Sequence, residues 1–225
     1  MQNRKETAWK KNREWGQLFG GRTRRRWTDN IVARLHTLTA PGEGAVLPIV
    51  MHDNPSSELY FPIEAHEYLA VLRALPPALT SGITHIVLRR GAPLDRRAGQ
   101  FWCHYTQGSG VHALFVLPWT KSRREFLPNG RPTGAFAAEL ARFGGQFQRR
   151  GSKWFVQFSR NDLRAFALHC FLCIVAHHAA HMSGTAQFSS TKANRRREGY
   201  RSIEFANKHF AAAEQALALA AQADA

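Results

Sequence analysis

Residues 163–182, LRAFALHCFLCIVAHHAAHM, decide the fold. Phe166, Leu168, Phe171, Leu172, Ile174 and Val175 cover nearly the whole circumference of a helix instead of one stripe, which is the pattern of a helix buried on all sides. Ser159 and Asn161 stand where N-caps are expected, and the polar Ser183 and Gly184 end the segment. Such a helix needs other elements wrapped around it, and the flanking sequence supplies them.

Ahead of it, the apolar runs at 45–51 and 83–88 predict strands. The runs at 100–105 and 111–119, joined by the glycine-bearing Gln107 to Gly110, predict a hairpin, and 154–158 predicts one strand more. Ile63, Tyr68, Leu69, Leu72 and Leu75 follow a helical period that starts at Pro62 and is stopped by Pro76 and Pro77. A further helix is expected over 134–143, ahead of Gly144 and Gly145. Beyond the central segment, the Ser/Thr/Arg-rich residues 183–197 predict a basic loop. A C-terminal helix from Glu198 carries Ile203, Phe205 and Phe210 into an alanine-rich tail. The expected class is α+β, a small mixed sheet around a buried helix that carries histidines. Residues 1–34, with Trp9, Trp15 and Trp27 among Lys and Arg, are expected to form a basic arm that contains a short amphipathic helix. Residues 35–225 form the folded domain.

A chain of 225 residues with 44% hydrophobic side chains has the material for a core, which argues against wholesale disorder. Its apolar runs fall short of the roughly eighteen uninterrupted residues of a membrane span, and the basic N-terminus lacks the apolar segment of a secretion signal. Cys103, Cys170 and Cys173 are too few for a disulfide framework, so a reducing, cytoplasmic setting without a membrane is expected. The net charge of +15 is unevenly placed: +7 in residues 1–34, −1 in 35–120 and +9 in 121–225. Arg22, Arg24, Arg25 and Arg26 lie beside Trp27, and Arg195, Arg196 and Arg197 lie near Tyr200. Dense guanidinium groups suit phosphate backbones, so nucleic acid, DNA or RNA, is the expected partner and an acidic protein surface the alternative.

The string AHHAAHM, 176–182, places His177 and His181 one helical turn apart, a spacing that lets two imidazoles share a zinc ion. A third ligand has to come from another element. Glu204 is the first candidate, with His209 and Glu198 as alternatives, and three ligands leave one position open for water. The competing reading is that these histidines only cap or hydrogen-bond near the helix C-terminus. Cys170 and Cys173 form a CxxC in the same helix, but Cys170 lies about 16 Å from His181 along the axis, too far to share an ion. They read as small buried hydrophobes.

The helix ending in HHAAH, followed by Glu204 in EFANKHFA, resembles the small bacterial zinc peptidases of the zincin class, of the gluzincin type. In these a helix with HExxH precedes a helix that supplies a glutamate. The resemblance covers roughly the second half of the chain. It implies a minimal metallopeptidase fold with zinc held by His177, His181 and Glu204. The family's catalytic glutamate is His178 here, which implies that peptidase activity is lost or strongly reduced and that the fold persists as a binding scaffold. The alternative is an active hydrolase. His178 would serve as the base, its reference pKa near 6.5 suiting the task. In a metal-independent version, Arg164 and His169 would act in an RxxxxH that resembles the spacing in some helical ribonucleases. The leading expectation is a catalytically degenerate zincin-like domain that binds nucleic acid or a nucleoprotein, with zinc as the candidate ion and its retention left open.

Overall fold

The central apolar segment is helical from Arg160 to Met182, and the rest of the fold is arranged along it. The computed structural model describes residues 38–53, 58–89, 103–108, 110–127, 130–185 and 192–223, with 135 and 192–198 as backbone only. The chain divides into two compact units, Met1–Thr39 and Ala40–Ala225, and the second is described by itself. Its elements in chain order begin with β1 (Ile49–His52), β2 (Leu59–Tyr60), α1 (Ala65–Ala74), α2 (Pro77–Thr80) and β3 (His85–Leu88). The hairpin β4 (Cys103–Gly108) and β5 (Val111–Val116) follows, then β6 (Trp119–Thr120), β7 (Arg124–Leu127), α3 (Gly134–Arg142), β8 (Gln146–Arg150) and β9 (Lys153–Gln157). The long helices α4 (Arg160–Met182) and α5 (Lys192–Ala223) complete it. The class is α+β with small sheets, as expected.

A four-stranded mixed sheet has the order β1-β3-β5-β4, with β1, β3 and β5 parallel and β4 antiparallel to β5. Parallel neighbours need a crossover, and α1 and α2 provide it between β1 and β3. Glu67 begins α1 by accepting from the Glu64 amide at 2.7 Å, and the helix gives way at Leu75, just before Pro76. All four residues of β3 are buried, as befits a strand paired on both sides and covered on both faces. A second, antiparallel sheet has the order β7-β9-β8.

Helix α4 joins two cores. Leu163 and Phe166 belong to a cluster with Trp119, Leu127, Leu140, Val156 and Phe158 beneath the antiparallel sheet. Phe171, Leu172 and Val175 belong to another, with Tyr68, Ile86, Leu114 and residues of α5. The Ser159 hydroxyl accepts from the Asp162 amide and caps the start, while Gly184, at φ +68, turns the chain out of the last turn. By length and apolarity α4 would also suit a membrane crossing, but 61% of its most apolar window is buried within this fold. At the α3–β8 corner only glycine fits: a Cβ on Gly145 would lie 2.6 Å from the Leu140 carbonyl oxygen, and Gly144 has φ +73.

Several boundaries differ from those expected. The strand expected at 45–51 starts at Ile49, and Val46 and Leu47 are exposed ahead of it. The run 111–119 is two strands, because Pro118 has no amide to donate and the chain leaves the sheet after Val116. The basic residues 195–197 fall inside α5, which begins at Lys192, six residues before the expected start at Glu198.

Candidate functional site

The last turns of α4 present His177, His178 and His181, and successive residues of a helix diverge by about 100°. His177 accordingly lines a cleft of about 320 Å³ bounded by α2, α4 and α5, together with Ser183, Arg201, Ser202 and Phe205. His178 turns instead toward the mixed sheet and is wholly buried, at 0% exposure. Its Nε2 donates to the Ser81 carbonyl at 2.8 Å, which leaves Nδ1 as a bare acceptor, buried and without a hydrogen-bond partner. The His181 ring lies 6.2 Å from that of Tyr105 and 5.7 Å from that of His112. The two elements of the hairpin thus meet the helix end and build a cluster of Tyr105, His112, His178 and His181.

Its geometry is fixed from the backbone outward. In the β4–β5 register Tyr105 faces Leu114 and Gln107 faces His112, so Tyr105 and His112 are diagonal neighbours on one face. The Tyr105 hydroxyl and His112 Nδ1 are 2.7 Å apart. The His112 amide donates to the Thr84 hydroxyl at 2.8 Å, and that hydroxyl donates to the His112 carbonyl at 3.0 Å. With its hydrogen so committed, the Thr84 oxygen accepts from His85 Nδ1 at 2.9 Å, which fixes the His85 tautomer. His178 stands edge-on to Tyr105 and His112 at 5.5 and 5.6 Å.

Electrostatically the cluster favours the neutral imidazole at His112 and at His178. Burial lowers the His178 pKa; the Ser81 carbonyl opposes this, but the His112 and His181 charges add to the fall. Burial and then His181 lower that of His112. Burial pushes the Tyr105 hydroxyl up to about 12. His112 and His178, both held toward the neutral form and packed against Tyr105, make a structural polar core more than a proton relay.

Among the described residues the donor set expected for zinc is not brought together. His177 belongs to the cleft wall, His181 to the ring cluster beside the sheet, and Glu204 is exposed on α5. Among the described residues no group of three or more His, Cys, Asp and Glu side chains is placed to hold a metal ion. His178, the expected base, has one nitrogen committed to Ser81 and the other sealed from solvent, so it has no access to a reacting water. His209 sits against Phe205 at 4.6 Å on α5, and the Glu198 side chain lies outside the described residues.

The ribonuclease-like pair is likewise not brought together. Arg164 donates to both carboxylate oxygens of Glu67 and, at 3.0 Å, to the Pro62 carbonyl, on the α1 side of the helix. His169, about 140° round the helix, faces α3, with Nε2 3.6 Å from Glu139 and its ring 4.9 Å from that of Phe143. Burial, then the Arg142 charge, take its pKa down to about 4 against a smaller opposing bond from Asn207. Cys103, Cys170 and Cys173 are free thiols whose pKa values burial raises, that of Cys173 to about 12. Arg22, Arg24, Arg25 and Arg26 lie outside the described residues, and Arg195, Arg196 and Arg197 are described only as backbone within α5.

Sequence reasoning did not find Tyr105 and His112. Their signal is tertiary: nothing in the spacing of a hairpin announces that its face will meet the end of a distant helix. A prediction follows for His178. His178→Gln keeps a donor for Ser81 and is expected to cost under about 1 kcal/mol, whereas His178→Ala removes bond and ring at about 2 kcal/mol. His178→Glu, which writes the zincin glutamate back, is expected to yield no peptide cleavage. Urea unfolding and a casein assay check these values, and proteolysis by the Glu variant would overturn them.

No family model, curated protein or solved structure matches the chain.

Proposed function

We propose that the chain is a non-catalytic, nucleic-acid-binding protein built on a zincin-like α+β scaffold that has lost its metal centre. The observation that carries the reading is the charge of +15, concentrated outside a neutral middle. An excess of this size is unfavourable to hold on a folded chain, and a polyanion relieves it. What supports the scaffold is the order of elements: a mixed sheet, a buried helix ending in HHAAH, then a helix bearing Glu204. The half-buried free thiols suit the cytoplasmic setting expected for such a protein.

Binding to a labelled oligonucleotide is expected to weaken about a hundredfold between 50 and 200 mM salt, the value for roughly four neutralised phosphates. Replacing Arg195, Arg196 and Arg197 with Ala should reduce the magnitude of the logarithmic salt slope by about 2–3. Fluorescence anisotropy over a salt series reads both quantities. Absent or salt-insensitive binding would refute the reading and leave an acidic protein as partner.

A further inference from the structure

The antiparallel sheet has two unlike faces. Leu127, Val156 and Phe147 point to the core beneath α4. Strand alternation sends the other set outward: Arg124 and Phe126 from β7, Gln148 and Arg150 from β8, Lys153 and Phe155 from β9. The register aligns them across the strands. Phe126 stands opposite Phe155, which stands opposite Gln148, and Lys153 stands opposite Arg150. The two phenyl rings are 5.7 Å apart, Phe126 is 42% exposed, and neither ring belongs to a core cluster.

Aromatic rings on the solvent side of a sheet are common where they merely pair across strands. Here a second feature accompanies them: the surrounding charge has one sign. Arg124, Arg150 and Lys153 flank the rings, while Glu125, the acidic residue of β7, points inward and is buried. Arg124 is also held in place. Its Nε donates to Gln157 at 3.1 Å, and the Gln157 amide donates to the Ser122 carbonyl at 3.1 Å. That bond engages Nε and not the terminal nitrogens of the guanidinium.

We propose that this face is a stacking platform for single-stranded nucleic acid, with Phe126 and Phe155 each taking an unpaired base and Arg124, Arg150 and Lys153 its phosphates. The proposal rests on the nucleic-acid reading above and adds to it a place and a strandedness. Charge complementarity selects a polyanion, and two adjacent ring faces select one whose bases expose their own faces. In a duplex those faces are already stacked, so the platform offers it only charge. Gln148 beside the rings adds a hydrogen-bonding edge without a sign preference.

The test uses the full chain with labelled 12-nucleotide oligo-dT and oligo-U and a 12-base-pair duplex. The Phe126→Ala, Phe155→Ala double variant is expected to weaken binding of one or both single strands by about ten- to a hundredfold. Duplex affinity should stay within twofold, with an unchanged salt slope. The Phe126→Tyr, Phe155→Tyr variant, which keeps both ring faces, should bind the single strands within about twofold of wild type. Unchanged single-strand affinity, or an equal loss on the duplex, would overturn the platform and leave general nucleic-acid binding standing. A wild-type chain that binds neither polymer at 50 mM salt would sink both readings.

Discussion

Arg164→Ala is expected to destabilise the protein by about 3–5 kcal/mol at pH 7.5. The Arg164 side chain is 32% exposed and that of its partner Glu67 only 4%, so truncation strands a carboxylate in an apolar setting instead of releasing it to water. Of its partners, the Glu64 amide would remain, at 2.7 Å. The same residues predict the pH dependence. Burial pushes the Glu67 carboxyl up, but the Arg164 bond, the Glu64 amide and the Arg164 and His66 charges outweigh it, so the folded pKa lies below the ordinary value. A depressed carboxyl pKa contributes stability that is fully present above the unfolded value, near 4.3, and lost as pH falls through the folded one. In Arg164→Ala burial prevails and the carboxyl rises, so acid relieves its penalty. The gap between wild type and variant should therefore narrow from pH 7.5 to pH 4, as read by urea unfolding. Arg164→Lys, which keeps the charge and loses the fork of two bonds, should fall between them. A loss under about 1 kcal/mol, or a gap that does not move with pH, would show the pair to be energetically idle.

Phe171→Ala is the second large effect expected, about 3–5 kcal/mol. The ring is fully buried and lies 4.4 Å from that of Tyr68, where α4 meets α1. Tyr68 is itself fully buried, and its hydroxyl has no hydrogen-bond partner, so packing and not a polar link holds that ring against Phe171. For a domain of this size each kcal/mol moves the melting temperature by about 2–4 °C, which gives a fall of about 10 °C by calorimetry. Phe171→Leu should cost about a third as much. A shift below about 2 °C for the alanine variant would mean that α4 is not the central pillar its burial indicates.

Helix α4 was legible in the sequence because its residues are apolar on every side, and no strand or loop carries that pattern over twenty positions. Strand β3 was legible as a short apolar run, and the β4–β5 hairpin by its glycine-bearing turn, although β4 runs three residues past the expected Tyr105, to Gly108, and takes in Gln107 from the expected turn. Strands β7 and β8 were not, because REFL and QFQRR put charges on one face and a buried glutamate or a half-buried phenylalanine on the other, which blurs the alternation that marks a strand. The start of α5 was hidden by a run of arginines that resembles a loop in composition while being helical in the fold. The histidine spacing was visible, but spacing fixes only the angle between side chains on one helix. What those rings meet was decided by the hairpin and by Ser81, so His178 became a buried donor and Glu204 stayed on the surface.

Strand β8 lies at the end of its sheet, with Arg149 and Arg150 exposed along it. A terminal strand offers its unpaired amides and carbonyls to any extended chain that approaches, and a second copy of the same protein is the most abundant such chain. Two like charges on each approaching rim make that zippering repulsive. The strand that borders the aromatic face is thereby guarded against edge-to-edge pairing.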